Sequence, residues 1–511
     1  MELFFFIFFF PAFTFAFMLF NIVLTTKSKS LNLKLPPSPL KMPLIGHLHL
    51  FLASSKQPYH VLRDLAVKYG PLMHLQLGEV STIVVSSRQT AEEIFSKQDL
   101  NFSYRPTLTA VEIIGLQKGV AFSPYGEYWR QLKKIFIFEL LTPKRVQSFR
   151  PVREEEITGL CRWIASKEGC VLNLATRVES TMYDIVTRAC LGKKTAEATV
   201  FLSKVKQGIK ISSAFVIADL YPSTKFPLLT RRLRRKAQRL TRERDSVVTK
   251  IIADHQANVH GDADSINAEH EDLVNVVLKF LQGDAKGGLA LDTEIFKYLL
   301  VEIFAATIIV STTIEWSISE LFKHPKDLTK AQDEVRRVYG GHGYVDESLL
   351  HELKYLKLVI KEGLRLHPPL PLLLPRENKD PCVINGYDIP AKTRLLINVW
   401  ALGRDTEYWG KDAESFMPER FLDDCSHIDY KSKNYEFLPF GGGRRICPGK
   451  SLGLVNIELV LAMLLYHFDW VMPNGMKFER LDMTETLGVV SRRKKPLYVI
   501  PVVKIPLPSG N

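Results

Sequence analysis

A glycine-rich loop that carries a single cysteine constrains this chain more than any other feature. The loop reads Phe440-Gly441-Gly442-Gly443-Arg444-Arg445-Ile446-Cys447-Pro448-Gly449. Glycines let a backbone pass close to a sulfur atom at dihedral angles that side chains forbid, and backbone N–H groups can then shield the sulfur. Such a loop suits a thiolate that binds a haem iron through Cys447. The alternative is a glycine loop with a structural cysteine.

The residues around Cys447 support the thiolate interpretation. The apolar run 452–464 follows the loop and has the composition of a buried helix. The positive end of that helix dipole would stabilise a thiolate. Arg445 is placed to reach a haem propionate, and Phe440 is placed to cover one face of the macrocycle.

The loop resembles the haem-binding signature of the cytochrome P-450 superfamily, in its plant microsomal branch. Two further segments match: Glu362-Gly363-Leu364-Arg365 resembles the family's Glu-x-x-Arg element, and Phe416-Met417-Pro418-Glu419-Arg420-Phe421 resembles its Pro-Glu-Arg-Phe element. The resemblance implies a structural triad of Glu362, Arg365 and Arg420 around the haem pocket. It also implies a mainly α-helical fold with small β-sheets (α+β), behind one N-terminal transmembrane helix.

The resemblance extends to other residues that would hold haem b. Trp129-Arg130-Gln131-Leu132-Lys133 resembles the family's Trp-x-x-x-Arg helix, which contacts the propionates, but Lys133 replaces the arginine and lacks its bidentate geometry. Arg376 and Arg105 also match positions near the haem, with a surface location as the alternative for each. The implied haem-binding set, with Cys447 as the iron ligand, is Phe440, Gly443, Arg445, Cys447, Gly449, Trp129, Lys133, Arg376 and Arg105.

The oxygen-activation segment departs from the family pattern. The match to Ser311-Thr312-Thr313-Ile314-Glu315-Trp316 places the family's Ala-Gly-x-Asp-Thr on residues 305–309, so Ile308 and Ile309 replace the acid and the alcohol. In the family that pair delivers protons, and a positioned general acid typically contributes about 10²–10⁴-fold in rate. We therefore expect slow or poorly coupled hydroxylation unless a substrate hydroxyl, ordered water or Thr313, one turn from Ile309, replaces the pair.

Three functions are compatible with these residues. The first is a monooxygenase that hydroxylates or oxidatively rearranges a lipophilic plant metabolite, with electrons from NADPH passed through a flavoprotein reductase. The second is a haem-dependent isomerase, dehydratase or rearrangement enzyme that needs no external electrons. The third is a non-catalytic haem-binding scaffold. The intact signature favours an enzyme, and the first function is preferred because it represents the family at large.

The segments that match the family's substrate-facing regions are almost entirely apolar. They are residues 107–116, 214–221, 301–309, 370–374 and 487–490. Core packing is the alternative explanation for such residues. Together they predict a dry pocket for a lipophilic small molecule, either a terpenoid, an alkaloid skeleton or a phenylpropanoid, with a terpenoid as first choice.

The N-terminal sequence predicts how the chain is organised. Residues 3–24 form an uncharged apolar run long enough to cross a bilayer, with a cleaved signal peptide as the alternative. We predict a transmembrane anchor in residues 1–25, a basic and proline-rich hinge in 26–46 and a haem-binding catalytic domain in 47–511. The lysines at 27, 29, 34 and 41 place that domain on the cytosolic side of the endoplasmic reticulum membrane. The sequon Asn101-Phe102-Ser103 should then remain unglycosylated.

Charge and cysteine usage exclude other classes of function. The net charge of +13 comes without a nucleic-acid-binding motif, and we assign it to anionic lipid and to an acidic electron-donor protein. The six cysteines contain no Cys-x-x-Cys pair, which argues against a zinc site or a disulfide framework. The basic helix predicted over 231–251 presents either a solvated face or a membrane-surface face. The acidic stretch 255–272 is a solvated connection, with a metal site as the alternative.

Overall fold

The computed structural model describes residues 33–212, 216–223, 227–261, 272–282, 293–422, 425–430 and 433–508. The predicted anchor, residues 1–25, lies outside these residues, as do the first part of the hinge, part of the substrate-facing segment 214–221 and most of the acidic stretch. His255 and Asp272, at the ends of that stretch, lie together, with His255 Nε2 3.4 Å from Asp272 Oδ2.

Helices make up most of the described chain, and the predicted mainly α fold with small sheets is confirmed. The helices are α1 (His49–Leu52), α2 (Pro58–Tyr69), α3 (Arg88–Lys97), α4 (Thr109–Ile114), α5 (Glu127–Ile135), α6 (Pro143–Ser148), α7 (Arg150–Ala165), α8 (Leu174–Leu191), α9 (Ala196–Ser212), α10 (Val216–Leu220), α11 (Pro227–Gly261), α12 (Leu273–Gln282), α13 (Thr293–Lys323), α14 (Pro325–Tyr339), α15 (Lys354–Leu366), α16 (Val399–Leu402), α17 (Thr406–Trp409) and α18 (Lys450–His467). The strands are β1 (Leu72–Leu77), β2 (Val80–Val85), β3 (Leu172–Asn173), β4 (Arg376–Glu377), β5 (Cys382–Ile384), β6 (Tyr387–Ile389), β7 (Arg394–Ile397), β8 (Phe468–Val471) and β9 (Tyr498–Val503).

The sheets are small and mostly built from hairpins. The largest has the strand order β1-β2-β7-β4, in which β2 pairs parallel with β7 and the other pairs are antiparallel. Its first hairpin turns at Gly78, whose φ of +60° favours glycine. β3, β9 and β8 form a second sheet, and β5 pairs with β6 alone. Residues 72–85 therefore form two strands joined by a tight turn.

Two long apolar helices, α13 and α18, form the centre of the domain. α18 is apolar on all sides, which is typical of a helix buried around its whole circumference. α13 packs against α8, α15 and α18. Within the described residues, Ile295–Lys323 and Lys450–His467 are long and apolar enough to cross a membrane. At least half of each is buried, so we interpret both as core helices.

The described part of the predicted hinge packs against the sheets. Lys34 and Asp388 exchange two hydrogen bonds of 2.8 Å, which pair this segment with β6. His74 N–H donates to the Pro37 carbonyl at 3.0 Å, which adds a contact with β1. Gly46 has a φ of +59°, and a Cβ there would lie 2.1 Å from the Gln76 carbonyl oxygen. This close approach requires glycine and fixes the end of the segment against β1.

The sequon is part of the folded core. Asn101 Nδ2 donates to the Asp380 carbonyl at 3.0 Å, and its Oδ1 accepts the N–H groups of Lys379 and Asp380 at 3.0 and 2.9 Å. Phe102 and Ser103 are fully buried. The Asn101 side chain therefore joins two loops, with all of its polar atoms in use.

Candidate active site

The cysteine loop is held in shape by its own backbone. Cys447 N–H donates to the Phe440 carbonyl at 3.0 Å and closes the loop. Gly441 and Gly443 have φ values of +71° and +62°, which favour glycine. A Cβ on Gly443 would also lie 2.0 Å from Asp99 Oδ1. The loop thus needs glycine at 443 for both its backbone conformation and its contact with Asp99.

Cys447 combines accessibility with desolvation. Its side chain is exposed, whereas Cys161, Cys190 and Cys425 are buried. Burial nevertheless raises the pKa of the Cys447 thiol, while the Gly449 N–H and the charges of Lys133 and Lys450 act to lower it. A thiol that water can reach, but that is largely surrounded by protein, lies in a concave and electropositive setting. That is the setting of a cysteine that binds a ligand. α18 begins at Lys450, so the positive end of its dipole lies close to Cys447 in the sequence.

Four cations predicted to hold a haem come together beside this loop. Arg445 lies 4.4 Å from the centroid of the Trp129 ring, and Lys133 Nζ lies 5.2 Å from the same ring. Burial lowers the pKa of Arg376 to about 10. Burial, and then the charge of Arg376, lower the pKa of Arg445 to about 9. Burial, and then the charge of Arg445, lower the pKa of Lys133 to about 8. Burial and the charges of Arg376 and Arg445 also hold the pKa of Arg105 well below its usual value.

Backbone carbonyls, rather than carboxylates, fix most of these cations. Arg445 donates to the Ser103, Val120 and Ser123 carbonyls at 2.8, 3.2 and 2.6 Å. Arg105 donates to the Ala121, Leu374 and Pro375 carbonyls, each at 2.8 Å. Arg376 donates to the Gly442 carbonyl at 2.6 Å, and Lys133 donates to that of Arg444. The Trp129 indole N–H donates to the Val120 carbonyl at 3.0 Å.

Two acids that the motifs did not predict lie among these cations. Asp99 Oδ1 accepts from Arg376 at 3.2 Å, and its Oδ2 accepts the Arg444 N–H at 2.9 Å. The charge of Glu302 acts to raise the pKa of both Arg105 and Arg445. Burial raises the pKa of Glu302 itself to about 7. With Arg444, whose guanidinium lies 3.0 Å from Asp99 Oδ2, five cations face these two acids. This surplus of positive charge fits a ligand with two carboxylates, such as the propionates of haem.

The predicted triad is assembled in the core. The Glu362 carboxylate accepts two bonds of 2.7 Å from Arg365 and one of 2.9 Å from Arg420. It also accepts the Met417 N–H at 2.8 Å, and all three charged side chains are buried. Arg365 and Arg420 also donate hydrogen bonds to five backbone carbonyls around them, which belong to Gly403, Trp409, Asp412, Ala413 and Ser415. The triad therefore ties α15 to the segment 403–420.

The segment 307–313 of α13 offers few free proton donors. Ile308 and Ile309 are half-buried on α13. Thr313 is 2% exposed, and its hydroxyl donates to the Ile309 carbonyl at 2.9 Å. Three neighbouring hydroxyls also donate to backbone carbonyls of this helix; they belong to Thr307, Ser311 and Thr312. The protons of these hydroxyls are thus committed to backbone carbonyls.

A small cavity lies between α4, α9, α11 and α13. Its volume is about 60 Å³. The predicted substrate-facing segments contribute Ile114, Leu116, Val301 and Ala305, whereas residues 370–374 and 487–490 do not line it. The sequence interpretation missed the walls from α9 and α11, which are Lys204, Val205, Gly208, Ile209, Leu240, Thr241 and Arg244. The lining is mostly apolar, but polar side chains enter it from α9 and α11.

The fold and the site together define a haem-thiolate protein, with a single cysteine before a buried helix and a surplus of cations beside it. Among the described residues, no group of three or more His, Cys, Asp or Glu side chains is arranged to hold a metal ion. The cytochrome P450 family model matches residues 36–500. The chain belongs to the cytochrome P450 family.

Curated proteins from plants are similar to this chain over almost its whole length. The chain is 47% identical to cytochrome P450 71D11 of Lotus japonicus over 477 residues, which is 93% of this chain and 96% of the relative. It is 44% identical to salviol synthase of Salvia pomifera over 96% of this chain and 97% of the relative. It is 45% identical to tabersonine 16-hydroxylase 2 of Catharanthus roseus over 96% of each chain. The protein is therefore a monooxygenase-type oxidoreductase.

A solved structure of zebra fish cytochrome P450 with progesterone has the same fold. Its TM-score is 0.73, and the match covers 88% of this chain and all of that one. The sequence identity is 23%, so the likeness shows the fold alone.

Proposed function

We propose that this protein hydroxylates or oxidatively rearranges a lipophilic plant specialised metabolite, with a terpenoid as the preferred class. The almost entirely apolar segments that match the family's substrate-facing regions support this substrate class. The names of two relatives, a synthase and a hydroxylase, support the reaction type. Electrons come from NADPH through a flavoprotein reductase. The enzyme is a single-pass protein of the endoplasmic reticulum membrane, and its catalytic domain of residues 47–511 faces the cytosol.

Haem b, when bound, supplies the activation of dioxygen at an iron ligated by Cys447. Arg105, Lys133, Arg376 and Arg445 would bind its propionates, and the surplus of positive charge in these buried or half-buried side chains is the single observation that carries this assignment. The remaining members of the haem-binding set shape and cover the site: Trp129, Phe440, Gly443 and Gly449. The basic surface contacts membrane lipid and the reductase.

The oxygen-activation helix favours a second candidate function. Ile308 and Ile309 carry no transferable proton, and the Thr313 hydroxyl donates to the backbone of its own helix. A redox-neutral isomerisation, dehydration or rearrangement needs no proton from this helix. We therefore retain a haem-dependent isomerase as the alternative, and its reaction would proceed without electrons.

The test is turnover of terpenoid, alkaloid and phenylpropanoid candidates by the full-length protein in microsomes, with and without reductase and under labelled dioxygen. We expect product only with NADPH and reductase, and one labelled oxygen atom in it. Product that forms without reductase, or that carries no label, would contradict the monooxygenase and support the isomerase. Microsomes that contain the reductase but lack this protein are the control.

Restoring the acid and the alcohol tests the role of the isoleucines. The double variant Ile308→Asp with Ile309→Thr should raise coupled hydroxylation, up to about 10²-fold, because a positioned general acid then replaces an apolar wall. Product formed per NADPH consumed is the measurement. The matched control is Ile308→Leu with Ile309→Val, which keeps the wall apolar and should leave coupling unchanged. If the double variant forms no more product per NADPH than the wild type, the native reaction is not limited by proton delivery from these positions.

A further inference from the structure

Glu302 is a half-buried acid on α13 that none of the motifs accounts for. It lies about two helical turns before Ile309, on nearly the same face of the helix. Its carboxylate bonds to a different part of the chain: Oε2 accepts the Val120 N–H at 2.7 Å, and Oε1 accepts the Ala121 N–H at 2.8 Å. One side chain thus anchors the loop between α4 and α5 to the oxygen-activation helix.

The carbonyls of the same two residues hold the cations of the site. The Val120 carbonyl accepts from Arg445 at 3.2 Å and from the Trp129 indole at 3.0 Å. The Ala121 carbonyl accepts from Arg105 at 2.8 Å. The Val120 carbonyl and the Ala121 N–H belong to one planar, rigid peptide unit, so the bond from the Ala121 N–H to Glu302 also restricts the orientation of that carbonyl. A shift of Glu302 is therefore passed directly to Arg445 and Trp129, and to Arg105 through the next peptide unit.

Charge adds to this mechanical link. The charges of Arg445 and Arg105 act to lower the pKa of Glu302, and the charge of Glu302 acts to raise the pKa of each arginine. The Tyr128 phenol also faces this carboxylate, and the pKa of Tyr128 is raised mainly by burial and then by Glu302. The carboxylate thus offsets part of the repulsion between cations that otherwise lie on carbonyl oxygens.

Gly119 is shaped to leave room for the Glu302 side chain. A Cβ on Gly119 would lie 2.3 Å from the Glu302 carboxyl carbon and from its Oε1. The backbone of Gly119 has φ −95° and ψ −178°, which any residue can adopt. The contact with Glu302, and not the backbone conformation, is therefore what requires glycine at this position.

We propose that Glu302 is a positioning residue for the haem cofactor, which fixes residues 119–121 and through them the cations that bind the propionates. This inference rests on the haem-binding set given under the proposed function. It assigns Glu302 no contact with the reacting atoms. It makes Gly119 and Glu302 an energetically coupled pair.

The test uses the purified holoprotein and measures the rate of haem transfer to excess apomyoglobin. Glu302→Gln removes one acceptor and the charge, and Gly119→Ala displaces the carboxylate while leaving it intact. Each should accelerate haem transfer about 10-fold or more, because bonds to a charged acceptor are lost or distorted. The effects of the two substitutions should not add in the double variant, because both act on the same contacts of residue 302. Resonance Raman bands of the haem propionates should shift in both single variants.

Two control variants separate positioning from general destabilisation. Gly126→Ala adds a methyl group in the same loop, where no heavy atom lies within 4 Å. Glu315→Gln removes another acid of α13, one that faces Arg493 with Glu315 Oε1 4.0 Å from its Nε. Both controls should keep the wild-type rate of haem transfer.

The outcomes are distinct. Wild-type rates and unshifted propionate bands in Glu302→Gln and Gly119→Ala would overturn the inference and leave the proposed function standing. Additive effects in the double variant would also overturn it. A wild-type protein that is folded but binds no haem would overturn the proposed function itself. Faster haem transfer in either control would show a fold-wide effect and count against positioning.

Discussion

Replacement of Cys447 by serine is expected to abolish the red-shifted Soret band of the reduced, carbon monoxide-treated protein and all NADPH-dependent turnover. A thiolate donates electron density to iron, whereas a serine hydroxyl is a poor ligand that stays protonated. The loop itself should persist, because its closing bond joins the Cys447 N–H to the Phe440 carbonyl and does not involve sulfur. The measurement is a reduced carbon monoxide difference spectrum, with haem content determined in parallel.

Cys170→Ser is the matched control, because Cys170 is the other cysteine among the described residues that is exposed. It should retain the full spectrum and activity. A red-shifted band that persists in Cys447→Ser, or that disappears in Cys170→Ser, would contradict the assignment of Cys447 as the iron ligand.

Replacement of Glu362 by glutamine is expected to lower the free energy of unfolding by about 3–5 kcal/mol, because it leaves two buried arginines without a counter-charge. The Glu362 carboxylate accepts bonds from Arg365, Arg420 and the Met417 N–H, and glutamine cannot satisfy all of them. Urea unfolding, followed by tryptophan fluorescence and by the Soret band, measures the loss. We expect both signals to shift to lower urea and the yield of holoprotein to fall.

Glu352→Gln is the control for this variant. Glu352 is half-exposed and lies 2.8 Å from the exposed His351. Such surface pairs contribute little, so its midpoint should stay within about 0.5 kcal/mol of wild type. Equal destabilisation by both variants would mean that the buried triad is not a special contributor to stability.

The local parts of the site were readable from the sequence because each lies within one short segment. The spacing of glycines around Cys447 and the apolar run after it predict a loop and a buried helix, and α18 begins at Lys450. Glu362 and Arg365 share one helix face, so a three-residue spacing predicts their contact. Arg420 could be joined to them only through the family resemblance.

The long-range contacts could not be predicted, because no local pattern encodes them. Glu302 meets the backbone of Val120 and Ala121 across about 180 positions of sequence, and Asp99 meets Arg376 and Arg444 from similar or greater separations. From the sequence alone, an acid in an apolar helix cannot be distinguished from a polar residue without a specific partner. No local pattern in the sequence predicts that polar side chains of α9 and α11 line the cavity.

The contacts of the sequon in the folded domain affect how membrane orientation can be tested. Oligosaccharide transfer needs an accessible asparagine amide in an extended segment, but Asn101 is tied to Lys379 and Asp380, and its next two residues are fully buried. Once the domain has folded, Asn101 is therefore closed to modification on either face of the bilayer. Transfer could take place only while the chain is still unfolded, so a topology experiment on this enzyme should use a reporter site introduced on an exposed loop.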